Sequence, residues 1–301
     1  MVGPSAQRRA VQHVIDKGMA KCAVACRALG LATSTFYWRS DESQERKAIR
    51  EQIIELSHAH PRYGYWRIAA LMRRAGYQIN VKRVQRVRRE AGIKVPRKQR
   101  RTRRVGISTA ERRQARRPNE VWSWDFVSDQ TATGNCFRIL TLIDEFTREF
   151  LAAYVSVSIR AEDVIRVVGQ VMKERGTPEH IRSDNGPEFV AHAIQDWMKN
   201  SEVSSIYIKP GSPWEQAWIE SFHDKLRDEL LNRELFRTVR EAQVVIDGWR
   251  CEYNEKRPHS SLGYQPPKEF AARFGTPFRA TPSTASQSDK PPDENLVELS
   301  Y

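Results

Sequence analysis

Three acidic side chains stand in settings where a carboxylate needs a partner. Asp125 lies in a run rich in Trp, Phe and Val, where an ionised carboxylate is costly unless a cation or strong hydrogen bonds compensate it. Asp184 precedes Asn-Gly at the end of a short predicted strand, and Glu220 lies in a predicted helix over residues 215–232. Taken singly, each acid also fits a turn or a surface position. A shared role requires that the three converge in one volume.

Such a convergence suits hard divalent cations. Mg²⁺ prefers oxygen ligands and keeps several waters, so a few carboxylates and a substrate phosphate complete its coordination. Two such ions about 3.5–4 Å apart activate an attacking oxygen and stabilise the leaving oxygen in a displacement at phosphorus. The chemistry that these acids predict is phosphoryl transfer.

The pattern after Pro118 predicts an α/β fold in the order βββαβαβα. Strand-forming stretches cover residues 121–127, 137–143, 150–157, 180–184 and 203–208, and helices cover residues 161–175, a stretch opened by Pro187 and a stretch from about residue 215. This order suits a five-stranded mixed sheet whose first three strands form a meander and whose later strands join through right-handed crossovers. If the first and fourth strands are neighbours, Asp125 and Asp184 converge, and the last helix offers Glu220 from beside the sheet.

Short helical segments precede this core. Residues 20–28 predict a helix that ends at Gly30, and a second helix follows to complete a small helix-turn-helix segment within residues 1–40. Residues 41–93 predict a further helix-turn-helix domain in which Asn80 caps the last helix. These modules are expected to be all-α.

The charge of the chain divides near residue 118. Residues 1–120 hold 29 Lys and Arg against 9 Asp and Glu, a net +20, whereas residues 121–301 hold 21 against 28, a net −7. A basic half of this kind favours a nucleic acid as partner, and the basic helix that Asn80 caps suits the major groove of double-stranded DNA. The predicted contacts are basic residues of the capped helix and of a linker over residues 94–118, namely Lys82, Arg83, Arg86, Arg88, Arg89, Arg97, Lys98, Arg100, Arg101, Arg103 and Arg104. Lys225 and Arg227 follow Glu220 by one to two helical turns and either meet phosphate or belong to a solvated helix face.

Other features narrow the class of protein. No run of 18 apolar residues and no secretory signal occurs, so a cytosolic protein is expected. Four cysteines in a chain of this size predict no disulfide framework, and the spacing of Cys22 and Cys26 is a poor match for zinc, which favours two small buried residues. Residues 276–301 are rich in Pro, Ser and Thr, and we expect a disordered tail there.

Motifs spread through the chain resemble those of one enzyme family. They are Trp122-Ser-Trp-Asp125, Leu142-Ile-Asp144-Glu-Phe-Thr-Arg148, Ile181-Arg-Ser-Asp184-Asn-Gly-Pro-Glu-Phe189, Pro210-Gly-Ser-Pro-Trp214, Glu220-Ser-Phe222, and Tyr253-Asn254 through Arg257-Pro-His259 with Leu262-Gly263. Over nearly its whole length the chain resembles the DDE transposases and retroviral integrases, most closely the second-frame product of family-three bacterial insertion sequences. Thirty-five residues separate Asp184 from Glu220, the acid spacing typical of these enzymes.

This resemblance implies a ribonuclease H-like catalytic core over residues 119–275. It assigns catalysis and metal ligation to Asp125, Asp184 and Glu220, with two Mg²⁺ ions for which Mn²⁺ can substitute. It implies cleavage of a strand at the transposon end, followed by strand transfer in which the freed 3′-OH attacks and joins target DNA. It further implies a homo-oligomer on paired ends, a partner or fusion from an upstream reading frame, and a place in the bacterial cytosol at the nucleoid.

Two departures from the family pattern leave other functions open. Close relatives usually have Asn and then Gly or Ala after Trp-Glu, where this chain has Gln216-Ala217, and His223 stands in place of the usual Asn. One alternative is therefore a catalytically inactive, transposon-derived DNA-binding protein. Another is a nuclease of the ribonuclease H-like fold that cuts DNA without joining it. Asp144 is interpreted as a structural residue that ends a strand and packs with Arg148.

Overall fold

The computed structural model describes residues 3–37, 44–96, 114–183, 192–207 and 217–275. The chain divides into two compact units, residues 1–59 and residues 60–301. Within the described ranges, no helix has the length and apolar character needed to cross a membrane.

The first unit is helical. Its helices are α1 (Pro4–Asp16), α2 (Cys22–Ala28), α3 (Thr33–Tyr37) and α4 (Gln44–Ala59). The predicted pair α2 and α3 is confirmed, with Gly30 at a φ of 65° between them, whereas α1 was not predicted. Val11 of α1 packs against Ala25, Cys26 and Leu31, so α1 supplies one wall of this small core.

The second unit begins with the helix pair α5 (Tyr65–Arg74) and α6 (Val81–Glu90). Its apolar residues Ile68, Met72 and Val84 are fully buried. The predicted cap is present, because the Asn80 side chain accepts a hydrogen bond from the backbone N–H of Lys82 at 2.9 Å.

A five-stranded mixed sheet follows, as predicted. Its strands are β1 (Val121–Gln130), β2 (Cys136–Asp144), β3 (Phe150–Ser156), β4 (His180–Ser183) and β5 (Ser204–Tyr207), in the spatial order β3-β2-β1-β4-β5. The first three strands form an antiparallel meander, and β4 and β5 continue it in parallel from β1. The first and fourth strands are therefore neighbours, which was the condition for the predicted acids to converge.

Helices cover both faces of this sheet. They are α7 (Ala161–Arg175), α8 (His192–Asn200), α9 (Ala217–Leu226), α10 (Val239–Glu255) and α11 (Pro267–Ala272), and α9 continues into a π-helical turn at Arg227–Leu231. The bounds of α7 match those predicted, and Gly176 ends it at a φ of 86°. The predicted starts of α8 at Pro187 and of α9 near residue 215 lie outside the described residues.

The alternation of side chains along β1 assigns its residues to two cores. Trp122 and Trp124 point to the face covered by α7 and α8, where they join one buried apolar cluster. Val127 belongs to the opposite cluster with residues of α9 and α10. Ser123 and Asp125 share the parity of Val127, so the strand presents its polar side chains toward α9.

Candidate active site

Asp125 lies at the middle of the sheet, on the strand that pairs with both β2 and β4. Its backbone is in register with Thr141 of β2, and its side chain is 20% exposed. The backbone N–H of Phe126 donates to Asp125 Oδ1 at 2.7 Å. The carboxylate is thus set at the edge of an apolar core, where its negative charge favours a nearby cation.

Helix α9 is held against this face by its apolar stripe. Ile219, Phe222 and Leu226 are buried in the cluster that also contains Val127. Because residues three or four apart share a side of a helix, Glu220 and His223 lie together on the flank of this stripe. Glu220 is exposed, so its carboxylate faces solvent one turn before His223.

His223 connects α9 directly to Asp125. Its Nδ1 atom is 3.5 Å from Asp125 Oδ2, and its Nε2 atom is 2.8 Å from the hydroxyl of Thr141. That hydroxyl also donates to the backbone oxygen of Asp125 at 3.0 Å. Burial, and then the positive charge of Arg227, lower the pKa of His223 to about 4, so the ring is neutral at pH 7. Sequence reasoning marked His223 as unusual but did not predict this contact.

Asp184 lies outside the described residues. The strand that leads to it is described, and it places Arg182 of β4 opposite Ser123 of β1. Because the two strands are parallel, β4 runs in the same direction as the segment of β1 that reaches Asp125. Gln216 also falls outside the described ranges.

A buried polar group supports the sheet beside the acids. Glu145 accepts a hydrogen bond from the hydroxyl of Ser123 and lies 3.3 Å from Arg182, and all three residues are at most 5% exposed. Burial raises the pKa of Glu145, while the charge of Arg182 opposes this shift. This group links the N-terminal part of β1 and the C-terminal half of β4 to the residue that follows β2. No motif in the sequence predicted it.

The structural interpretation of Asp144 is supported by its contacts. Its carboxylate accepts hydrogen bonds from the backbone N–H groups of Asn119, Phe146 and Thr147 at 2.8, 2.8 and 2.9 Å, and its backbone oxygen accepts from the N–H of Arg148. Burial raises the pKa of Asp144, and these hydrogen bonds oppose the shift. Asp144 therefore closes the turn after β2.

Three known domain families match most of this chain. An integrase core domain family matches residues 115–213, and a second integrase core domain family matches residues 201–267. An HTH-like domain family matches residues 44–101.

Whole-chain relatives agree with these domains. The uncharacterized 31.7 kDa protein of insertion element IS407 from Burkholderia multivorans is 40% identical over 251 residues, which cover 83% of this chain and 90% of the relative. The chain belongs to the insertion-element transposases. The transposase is also 36% identical to the uncharacterized 39.2 kDa protein of IS476 from Xanthomonas euvesicatoria, over 91% of this chain and 79% of that protein. A third relative, the transposase for insertion sequence element IS904 from Lactococcus lactis, is 29% identical to this chain over 77% of this chain and 96% of that protein.

The fold of this transposase is that of the integrase core, a ribonuclease H-like mixed sheet with flanking helices. Among solved structures, the catalytic core domain of HTLV-2 integrase in complex with magnesium is 16% identical. The match covers 52% of this chain and 98% of that one, with a TM-score of 0.41.

The predicted DNA contacts of the transposase fall into three groups. On α6, Lys82, Arg86 and Arg89 are exposed and Arg83 is half-buried. The prediction of Arg88 as a DNA contact is wrong, because Arg88 is 4% exposed and donates to the backbone oxygen of Tyr63 at 2.7 Å. The remaining linker residues, Arg97, Lys98, Arg100, Arg101, Arg103 and Arg104, lie outside the described ranges.

Lys225 and Arg227 differ in their surroundings. Arg227, the first residue of the π-helical turn after α9, is exposed and donates to the backbone oxygen of Ser128 at 3.3 Å. Lys225 lies on α9 itself, where its Nζ donates to Ser221 and burial, followed by the charges of Arg257 and Arg67, lowers its pKa to about 8. Of the two, Arg227 is the one whose charge acts on His223.

The donor atoms at this site fit the divalent cation that the family implies. Asp125 and Glu220 offer carboxylate oxygens, the ligands that Mg²⁺ and Mn²⁺ accept, and Asp125 sits where a cation is a favourable partner for its charge. In the part of the chain that the structure describes, no three His, Cys, Asp or Glu side chains form a complete cation site. Any complete site must therefore draw on residues beyond that part or on a movement of Glu220.

Proposed function

We propose that this transposase cuts and joins insertion-sequence DNA with Asp125, Asp184 and Glu220 as its catalytic, metal-binding acids. The observation that carries the proposal is the docking of α9 on β1. The helix that bears Glu220 is packed by three buried apolar residues onto the face of the sheet from which Asp125 projects, and His223 touches the carboxylate itself. The parallel pairing of β1 and β4 supports the inclusion of Asp184, which follows β4 directly.

The acids are proposed to hold two Mg²⁺ ions, for which Mn²⁺ can substitute. When bound, such ions activate an attacking oxygen and stabilise the departing oxygen at phosphorus. The contribution of the chain is to fix the carboxylates in place: Asp125 through the sheet ladder, and Glu220 through the packed stripe of α9. The proposed sequence of reactions is hydrolysis that frees a 3′-OH at the end of the element, followed by attack of that hydroxyl on target DNA.

DNA is proposed to contact two described surfaces. One is the exposed basic side of α6, where Lys82, Arg86 and Arg89 point to solvent. The other is the flank of α9 that bears Glu220 and His223, together with the exposed Arg227 in the turn that follows. Basic side chains of this kind contact phosphates and fix the register of a protein on the duplex. The Arg-rich residues 94–118 are proposed to continue the contact along the backbone.

The wider organisation also stays a proposal. We divide the chain into helix-turn-helix segments at residues 1–40 and 41–93, the linker at 94–118, the core at 119–275 and a tail at 276–301. We propose a homo-oligomer on paired double-stranded ends, with an upstream-frame partner or fusion, acting in the bacterial cytosol at the nucleoid.

The decisive measurement is strand transfer of labelled end DNA into a target, with Mg²⁺ and with EDTA. Asp125→Asn and Glu220→Gln should each abolish joined products while binding of the end DNA persists, because both acids hold the metal. Asp224→Asn is the matched control, since it neutralises an exposed acid on the same helix. Unchanged joining by both acid variants would overturn the assignment.

The same assay separates the two alternative functions. Metal-dependent cleavage without joined products would identify a nuclease of the same fold. Specific binding of end DNA with neither cleavage nor joining, in both Mg²⁺ and Mn²⁺, would identify an inactive DNA-binding protein.

A further inference from the structure

Three polar contacts link His223, Thr141 and Asp125 in a closed ring. Thr141 Oγ1 is 3.0 Å from the backbone oxygen of Asp125 and 2.8 Å from His223 Nε2. The third contact, between His223 Nδ1 and Asp125 Oδ2, is 3.5 Å long. The ring is mostly buried, with Thr141 fully inaccessible and the side chain of His223 13% exposed.

The supply of protons decides what each contact is. The backbone oxygen of Asp125 only accepts, so the single proton of the Thr141 hydroxyl is used in that contact and His223 Nε2 must donate in the other. The two short contacts have hydrogen-bond lengths, while 3.5 Å exceeds the usual 2.7–3.2 Å for an N–H···O bond. The hydroxyl therefore donates to the backbone oxygen of Asp125, and His223 Nε2–H donates to Thr141.

This arrangement leaves two acceptors facing each other. His223 Nδ1 carries a lone pair in that tautomer, and Asp125 Oδ2 is a carboxylate oxygen that only accepts. The two atoms, 3.5 Å apart, are therefore placed to offer lone pairs to one shared cation. The ring of contacts fixes the imidazole in this orientation, so the pair forms one side of a site for a cation.

We propose that His223 Nδ1 is an additional protein ligand of the divalent ion that Asp125 binds. The inference rests on the proposed function, because it assumes that Asp125 holds a metal. It assigns a residue beyond the three acids, at the position where this chain has His in place of the Asn usual in the family.

The spacing of the two atoms agrees with ligation of one ion. Metal–ligand bonds of about 2.1 Å separate neighbouring ligand atoms by roughly 3 Å at a right angle and by more at wider angles. The 3.5 Å between Nδ1 and Oδ2 falls in that range. The hydrogen bond from Nε2–H to Thr141 is the kind of outer contact that fixes the tautomer and orientation of a ligating histidine.

An imidazole ligand changes which ion the site prefers. Mg²⁺ prefers oxygen, whereas Mn²⁺ and later transition metals bind nitrogen more readily. We therefore expect this transposase to favour Mn²⁺ over Mg²⁺ more strongly than its His223→Asn variant does. The loss of Mn²⁺ affinity in the variant should be about tenfold or more, with a smaller loss for Mg²⁺.

The direct test is pulsed electron paramagnetic resonance of Mn²⁺ bound to the full-length protein without DNA. The wild type should show the modulation of a directly bonded imidazole nitrogen, and the pattern should change from ¹⁴N to ¹⁵N when the histidines are ¹⁵N-labelled. His223→Asn should lose the nitrogen modulation and keep bound Mn²⁺ at saturating concentration. His58→Asn, which replaces an exposed histidine of α4, should keep it.

Failure of this inference is distinct from failure of the proposed function. Mn²⁺ that depends on Asp125 but shows no nitrogen modulation in the wild type would overturn His223 as a ligand and leave the acid site standing. That result would make His223 a structural residue that holds α9 to β2 through its hydrogen bond to Thr141. Mn²⁺ that binds Asp125→Asn as well as the wild type would overturn the acid site itself. A melting temperature for His223→Asn equal to that of the wild type shows that lost modulation reports on ligation.

Discussion

Glu229 is a buried carboxylate bound by two arginines from distant parts of the chain. Arg257 donates to it through Nε and Nη2 at 2.7 and 2.5 Å, and Arg67 of α5 donates at 3.2 Å. Burial raises the pKa of Glu229, but the hydrogen bonds and charge of Arg257, together with Arg67, outweigh it and hold that pKa below its usual value. The carboxylate thus joins α5, the π-helical turn after α9, and the segment that follows α10.

Replacement of Glu229 by Gln should destabilise the protein strongly. The substitution leaves two arginines without their counter-charge, and Arg257 is 1% exposed. Breaking one side of a buried pair of this kind costs about 3–5 kcal/mol in the free energy of unfolding. Urea denaturation followed by fluorescence measures the change, with the exposed Glu234→Gln as control. A Glu229→Gln variant as stable as the control would contradict the role assigned to the pair.

The stabilisation by Glu229 should depend on pH in a defined direction. Its pKa in the folded protein is lower than in the unfolded chain, so its contribution is complete above the ordinary pKa of a glutamate, about 4.3. The contribution disappears as the pH falls through the folded value. The difference in melting temperature between wild type and Glu229→Gln should therefore be constant from pH 7 to 5 and narrow below about pH 4. A difference that stays constant down to the lowest pH would rule out this linkage.

Among single residues, the sequence predicts those that lie in recognisable motifs. It does not predict pairs that form between distant parts of the chain. Asp125 was predicted from the apolar run around it, and Glu220 from a motif and from its 35-residue separation from Asp184, which resemble those of one enzyme family. Glu229 and Arg257 are 28 residues apart, and Glu229 and Arg67 are 162 apart. No local pattern predicts such pairs, since they depend on how α5 packs on the core. The contact of His223 with Asp125 was missed for the same reason.

Helix α6 shows how adjacent arginines can differ completely. Arg88 follows Val84 by four residues, so it lies on the buried stripe, and its long side chain passes through the interior to the backbone oxygen of Tyr63. Arg89 is exposed on the other side. Both arginines were predicted as DNA contacts from the basic composition of the helix. Composition does not distinguish them, because the apolar stem of an arginine suits burial when its head group finds an acceptor.

The pair Arg88→Ala and Arg89→Ala should separate folding from DNA binding. Arg88→Ala removes a buried side chain and its hydrogen bond, so it should lower the melting temperature by several degrees. Arg89→Ala should leave the melting temperature unchanged, weaken binding of all DNA sequences, and reduce the salt dependence of binding by about one phosphate contact. Thermal unfolding and fluorescence anisotropy measure the two effects. Equal loss of stability in both variants would contradict the assigned faces.

The elements of the core were predictable to different degrees. Bounds of α7 followed from its apolar stripe and from Gly176, and the cap of α6 followed from Asn80. Helix α1 was not predicted because its apolar residues do not form a long stripe. In the structure, Val11 is its one buried residue. The π-helical turn at Arg227–Leu231 is also invisible in the sequence, since it arises where Glu229 turns inward to meet its arginines.

For the whole molecule, the order of the strands and the division of charge both agree with the proposed cutting and joining of DNA. The alternation of strand and helix patterns limited the sheet to a mixed one, and the observed order β3-β2-β1-β4-β5 places the predicted acid strand at its centre. The net charge of +20 in residues 1–120 lies outside that catalytic sheet, and −7 lies in the remainder. DNA affinity and catalysis are therefore expected to respond to different perturbations.

The affinity for end DNA should fall steeply as the salt concentration rises. Substitution of a catalytic acid should leave that salt dependence unchanged. A protein that makes 6–10 phosphate contacts loses roughly 10³–10⁵ in affinity between 50 and 200 mM salt, because counterions are released on binding. Glu220→Gln should show the same slope of affinity against salt as the wild type, since Glu220 contacts metal in the proposed site and contributes no positive charge. Anisotropy titrations over a salt series measure both slopes. A shallow slope in the wild type would mean that the basic residues of the N-terminal half do not hold the DNA backbone.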